Sequence, residues 1–213
     1  MSTVVNAFRF QSFALSNTRA PHLDTDYVAV AISQNGVFKS VQAKRIGNVN
    51  NGTHVVNLVA NLPAQYAYTD ELVFSYMVIN HGGGSTQDVI NDCTAAMTQI
   101  GWNTFNASDA AVVPVGNRQL PACLSQALRG VNMKIWWNQM KPAFQHLDSN
   151  RCDGPVIIDS LSFTGASMTQ IQLAENQQHP FSFIYLGIDS AVGCGSNSHY
   201  SAQWFADVEV IQP

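Results

Sequence analysis

Residues 22–81 constrain the fold more than any other stretch of the chain. They hold four apolar runs, HLDTDYVAVAIS, VFKSVQAKRI, THVVNLVANL and DELVFSYMVINH, separated by QNG, GNVNNG and PAQYAYT. Apolar residues recurring at every second position, bounded by Gly, Asn and Pro, indicate β-strands. Asn35-Gly36 is the sharpest local signal, because both residues tolerate the positive φ of a type I′ hairpin turn. A two-residue turn there sets Val30 opposite Val41 and Val28 opposite Ala43. In residues 54–62, His54, Val56, Leu58, Ala60 and Leu62 share one face. In residues 72–79, Leu72, Phe74, Tyr76 and Val78 oppose Val73, Ser75, Met77 and Ile79, so both faces are largely apolar. Such a strand is central and covered on both sides. Pro63 and Gly82-Gly83-Gly84 close the last two runs. The simplest reading is one sheet of four consecutive strands.

The flanking segments extend the pattern. Residues 2–15 form a first strand, with Val4, Phe8 and Phe10 on one face and Val5, Ala7, Phe13 and Leu15 on the other. Strands recur at 156–163, 181–188 and 199–211, the last with Tyr200, Ala202 and Trp204 in register. Between them, residues 85–150 change period. Ser85 and Asp88 have capping-box spacing, and Val89, Cys93, Met97 and Ile100 recur helically up to a Gly101 cap. A second helical pattern starts near Pro121, with Leu124, Leu128, Val131 and Ile135 in one stripe. Trp136, Met140, Phe144 and Leu147 make a shifted stripe, and Pro142 breaks the helix. The fold class is mainly β: one domain spanning 1–213, an antiparallel sandwich of about eight strands with a two-helix insertion at about 85–150. The strand order stays open, a jelly roll being one option.

Composition narrows the function. Charged residues make up 11% of the chain, against about a quarter in an average soluble domain. Polarity comes from Asn, Gln, Ser and Thr instead, which suits a neutral surface meeting sugars, lipids or further copies of the chain. The net charge of −4 and the lack of any Lys/Arg run argue against nucleic acid as a partner. MSTVVNAFRFQSF lacks the apolar core of a signal peptide, so the expected location is the cytoplasm, or outside by a non-classical route. The chain has four cysteines, and a reducing compartment would keep them as thiols. Cys152 and Cys194 lie in tight turns and are the pair to join if a disulfide forms.

Four places could carry function. His22, Asp24 and Asp26 point the same way in an extended chain; with Asp189 from a neighbouring loop they could hold Ca²⁺, for which hard oxygen ligands are suited. The competing reading is that the aspartates cap a turn. The loop ending in Asn48, Asn50, Asn51 and His54 is dense in the donor–acceptor groups that sugar hydroxyls need, and Tyr27 could take a sugar's apolar face; against this, Asn and Gly also simply serve hairpin turns. Trp136 and Trp137 lie about 100° apart on a helix, so one could reach a membrane or partner while the other packs. Asp70-Glu71 is a paired-carboxylate candidate that reads more simply as a turn. No CxxC, HExxH, GxSxG, P-loop or GxGxxG occurs, and His81-Gly-Gly-Gly has neither the Lys-Ser/Thr of a phosphate loop nor an esterase nucleophile elbow. The expected function is therefore non-catalytic: lectin-like carbohydrate binding, Ca²⁺-assisted or not. A membrane-active protein using the helical insertion and a self-assembling homo-oligomer are the alternatives.

Overall fold

The computed structural model describes residues 2–16, 24–62, 69–100, 111–112, 135–147, 153–164, 178–186 and 199–211. The strands are β1 (Ser2–Ser16), β2 (Asp24–Gln34), β3 (Val37–Val49), β4 (Gly52–Asn61), β5 (Glu71–Asn80), β6 (Ala111–Val112), β7 (Gly154–Thr164), β8 (Gln178–Leu186) and β9 (His199–Ile211). They build sheet A, in the order β4-β1-β9-β8, and sheet B, in the order β3-β2-β5-β7-β6. The pairing is antiparallel apart from the short β6–β7 ladder. The two sheets enclose one core. Helix α1 (Thr86–Ala95), a π-turn (Ala96–Ile100), helix α2 (135–140) and a 3-10 turn (Lys141–Ala143) supply residues to a second core on the outer face of sheet B. The mainly-β sandwich expected from the sequence is the architecture observed.

The Asn35-Gly36 turn forms as expected, with φ of 51° and 74°. Gln34 and Ser33 then pair with Val37 and Phe38, but a bulge between Ile32 and Ser33 moves the rest of the ladder by one residue. Val30 therefore faces Gln42 and Val28 faces Lys44, not Val41 and Ala43. The slip has a packing cause. It sets Val41 beside Ala31 and Ala43 beside Ala29, on the face that the helices cover. Unbulged, the same face would present Ser40 and Gln42.

The four runs of residues 22–81 do not form one sheet. β4 leaves sheet B and pairs with β1. β2 already has β3 and β5 as neighbours, and the free edge of β3 carries exposed Lys39, Lys44 and Arg45, which discourage a further strand. Crossing over lets Val56, Leu58 and Ala60 close the sandwich core from the other side. β1 also departs from simple alternation. Its ladder to β9 shifts between Phe10 and Ser12, so Phe13 and Leu15 rejoin Phe8 and Phe10 in one core instead of facing away from them.

The core between the sheets is aromatic. Trp204 stacks on Phe10 at 3.9 Å within sheet A and meets Tyr76 at 4.4 Å and Phe74 at 4.6 Å across the sandwich. Tilted and edge contacts of this kind add to the area that the rings bury. β5 lies at the centre of sheet B, and every residue from Leu72 to Asn80 is buried. Its second face, with Ala29 and Ala31 beside it, receives Met97, Trp136 and Met140. Small alanines and serines on that face leave room for large helical side chains at interior density.

Trp204→Ala should cost about 3–5 kcal/mol of stability, whereas Ile184→Ala, at a side chain 52% exposed, should change it by less than about 0.5 kcal/mol. Denaturant titration of both variants measures the contrast.

Candidate functional site

The polar groups of interest gather at one end of sheet B, where β2 starts, β3 and β5 end and β7 starts. Strand pairing enforces this: Asp26 lies beside Gly47 and Asn80, and Asn80 beside Gly154. Thr25 ties the end together. Its N–H donates to Asn80 Oδ1 (3.2 Å), its carbonyl accepts from His81 N–H (2.9 Å), and its hydroxyl donates to Asn48 Oδ1 (2.9 Å).

On the β3–β4 side the amide-rich loop is displayed to solvent. Asn48, Asn50 and Asn51 are all exposed. Gly47 and Gly52 take φ of 102° and 130°, a backbone that a side chain would strain. His54 Nε2 lies 2.6 Å from the Asn50 carbonyl, and its ring packs on Phe13 at 5.3 Å. Tyr27 does not join this loop. It is 3% exposed and packs under the helices, because its place in β2 points it to the outer face of sheet B. It is not a stacking platform for a ligand at the loop.

Of the four residues offered for a cation, only Asp26 has a described side chain. Asp26 is 1% exposed and alternates with Tyr27, so it points into the sandwich. Asp24 opens β2 opposite Val49, while His22 and Asp189 lie outside the described residues. Among the described residues no group of three or more His, Cys, Asp or Glu side chains is placed to hold a metal ion. The Cys152–Cys194 pair also lies outside them. Cys93 is a free, buried thiol, pushed up well beyond the usual range by burial and then by the neighbouring Asp92 charge, so it is a poor nucleophile. Asp70 serves as a structural acceptor, taking hydrogen bonds from Gln34 Nε2 (2.7 Å) and Asn35 Nδ2 (2.8 Å).

Trp136 and Trp137 are both buried, at 2% and 5% exposure, so neither is the exposed tryptophan that the helical spacing suggested. After α2 the chain turns at Pro142 and brings Phe144 back onto Trp137, 5.4 Å between rings. No helix among the described residues is long and apolar enough to cross a membrane.

Beside the loop sits a cluster that the sequence reading passed over. The side chains of His81 and Asp153 are 0% and 1% exposed, with His81 Nδ1 3.4 Å from Asp153 Oδ2. Gly82 N–H donates to Asp153 Oδ1 (2.8 Å), and Gly83 N–H donates to His81 Nδ1 (3.2 Å). His81 Nε2 is buried with no hydrogen-bond partner among the described residues. A parallel arrangement holds the 144–147 turn to α1: Gln145 N–H donates to Asp92 Oδ2 (3.0 Å), and His146 Nδ1 lies 3.4 Å from the same oxygen. Burial pushes the His81 imidazole below its ordinary range, against the opposing pull of Asp153 and Asp92. α1 starts at a complete Ser85–Asp88 capping box, whose hydrogen bonds hold the Asp88 carboxyl below its usual range. With Nε2 enclosed, His81 is closed to an outside substrate as a general base.

His81 and Asp153 end and precede paired strands, so their meeting follows once β5 and β7 are known to be neighbours. Local periodicity carries no such information, and the Asp92–His146 contact spans residues even less related by pattern. No protein-family model matches the chain, and no curated protein matches its sequence closely enough to count as a relative.

Gly83 locks the cluster sterically. A β-carbon there would collide with the His146 carbonyl, whereas one at Gly154 meets nothing within 4 Å. Gly83→Ala should cost about 1–3 kcal/mol through overpacking, and Gly154→Ala less than about 0.5 kcal/mol. Thermal denaturation of the two variants tests the difference.

Proposed function

We propose that this chain is a non-catalytic binding protein that recognises carbohydrate through the exposed amides of Asn48, Asn50 and Asn51. The supporting observation is that these three side chains face solvent on a loop already ordered by the Thr25–Asn48 and His54–Asn50 hydrogen bonds. Primary amides offer a donor and an acceptor each, matching vicinal sugar hydroxyls. A pre-ordered loop loses little conformational entropy on binding. Val55, 61% exposed just beyond the loop, offers apolar surface to a sugar ring. The low charge of the chain fits the same reading, since a neutral ligand then displaces few strongly hydrated groups. Calcium has no part in this proposal, because Asp26 is enclosed in the sandwich.

A glycan array probed with the purified chain in Ca²⁺ and again in EDTA should show selective binding that is indifferent to EDTA. Asn50→Ala removes a side-chain amide but keeps the backbone carbonyl that meets His54. It should weaken binding about tenfold, the loss of one or two hydrogen bonds, with unchanged melting temperature. A blank array in both buffers, or equal binding by the variant, contradicts the assignment.

A further inference from the structure

We propose that His81 is the latch of a proton-operated clasp: protonation of its ring releases the Gly82–Ser85 loop and the 144–147 turn, uncovering Trp137 and Phe144 while both sheets stay intact. The geometry around Nδ1 carries the inference. That atom has two contacts that belong to different protonation states. It accepts from Gly83 N–H only when bare, and it donates to Asp153 only when it carries a proton. In the closed form the Gly83 bond leaves the proton of the neutral ring on Nε2, which is buried without a partner among the described residues.

A second proton makes Nδ1 a donor facing the Gly83 donor. It also leaves a charged ring whose Nε2–H finds no acceptor among the described residues, a costly arrangement inside a fold. Water is the remaining acceptor. His81 packs on Tyr27 and on Phe144, at 6.4 and 6.3 Å between ring centres, and the backbone of Gly83 meets its ring at Nδ1. A side chain at Gly83 would run into the His146 carbonyl, so this loop lies directly against the 144–147 turn. Its displacement moves the 144–147 turn, whose anchors are the Asp92 contacts to Gln145 and His146.

The charged and titratable groups around the ring, among the described residues, are Asp153 ahead of β7, Asp92 and Asp88 on α1, His146 on the turn and Tyr27 on β2. Asp153 and Asp92 favour the imidazolium, and a protonated His146 opposes it. Burial outweighs the carboxylates, so the closed form holds the ring neutral. The closed form is thus fully favoured above the ordinary histidine range, near pH 6.5, and loses its advantage as pH falls through and below it.

The test follows the whole chain from pH 8 to 4.5 by tryptophan emission, binding of a hydrophobic dye, and far-ultraviolet circular dichroism. Wild type should show a reversible red shift and dye binding beginning below about pH 6.5, with the strand signal retained. His81→Gln, which cannot take up a proton, should lose the transition. Asp153→Asn removes a charge that favours the imidazolium in the closed form, so it should move the opening midpoint to higher pH. His146→Gln should keep the transition. The proposal is overturned by a flat wild-type profile, by an unchanged transition in His81→Gln, by a downward shift in Asp153→Asn, or by loss of the strand signal at the same pH. If His81→Gln does not fold at pH 8, NMR titration of the His81 ring decides the matter: a ring whose protonation does not track the red shift overturns the proposal.

Discussion

Burial of β5 on both faces is the constraint on which the rest depends. A strand whose every residue from Leu72 to Asn80 is removed from water must lie at the centre of a sheet and needs two coverings. Phe74 and Tyr76 meet the aromatic side chains of sheet A, while Met77 and Ile79 meet the helical layer. Three layers follow from this one strand. The hairpin tip at Asn35 is in turn fastened to its beginning, through Asn35 N–H to the Glu71 carbonyl (2.8 Å) and Glu71 N–H to Asn35 Oδ1 (2.9 Å).

What could be read from the chain alone was whatever is encoded locally. The Asn35-Gly36 turn, the two-sided β5, the Ser85–Asp88 cap and the break at Pro142 all rest on interactions within a few residues, and all are present. The errors share a different cause. Bulges in β1 and β3 change which side chains share a face, and they arise because a neighbouring layer demands apolar residues that strict alternation would turn away. The departure of β4 to sheet A depends on competition for strand edges, which periodicity does not describe. Trp137 is covered because Phe144 returns onto it, a contact set by the chain beyond the helix.

The candidate site was legible in the same uneven way. The amide loop stands out in the sequence, and Asn48, Asn50 and Asn51 are exposed as an external loop requires. Tyr27 and Asp26 were misplaced because adjacent residues on a strand enter opposite faces, and here both faces are covered. The pairing of His81 with Asp153 was not legible because their proximity is a product of β5–β7 pairing. The structure nonetheless joins loop and clasp: Thr25 bonds to Asn48 on one side and to Asn80 and His81 on the other. A polar end of sheet B thereby stands against an otherwise apolar, two-sided strand.

Residue-resolved hydrogen exchange at neutral pH tests the central place of β5 most directly. The amides of Val73–Ile79 should be the slowest in the chain, exchanging only through global unfolding, while those of Gly83 and Gln145 exchange through a far less costly local opening. If the β5 amides exchanged as fast as those of the edge strand β3, the two-sided burial of β5 would not be what holds the layers together.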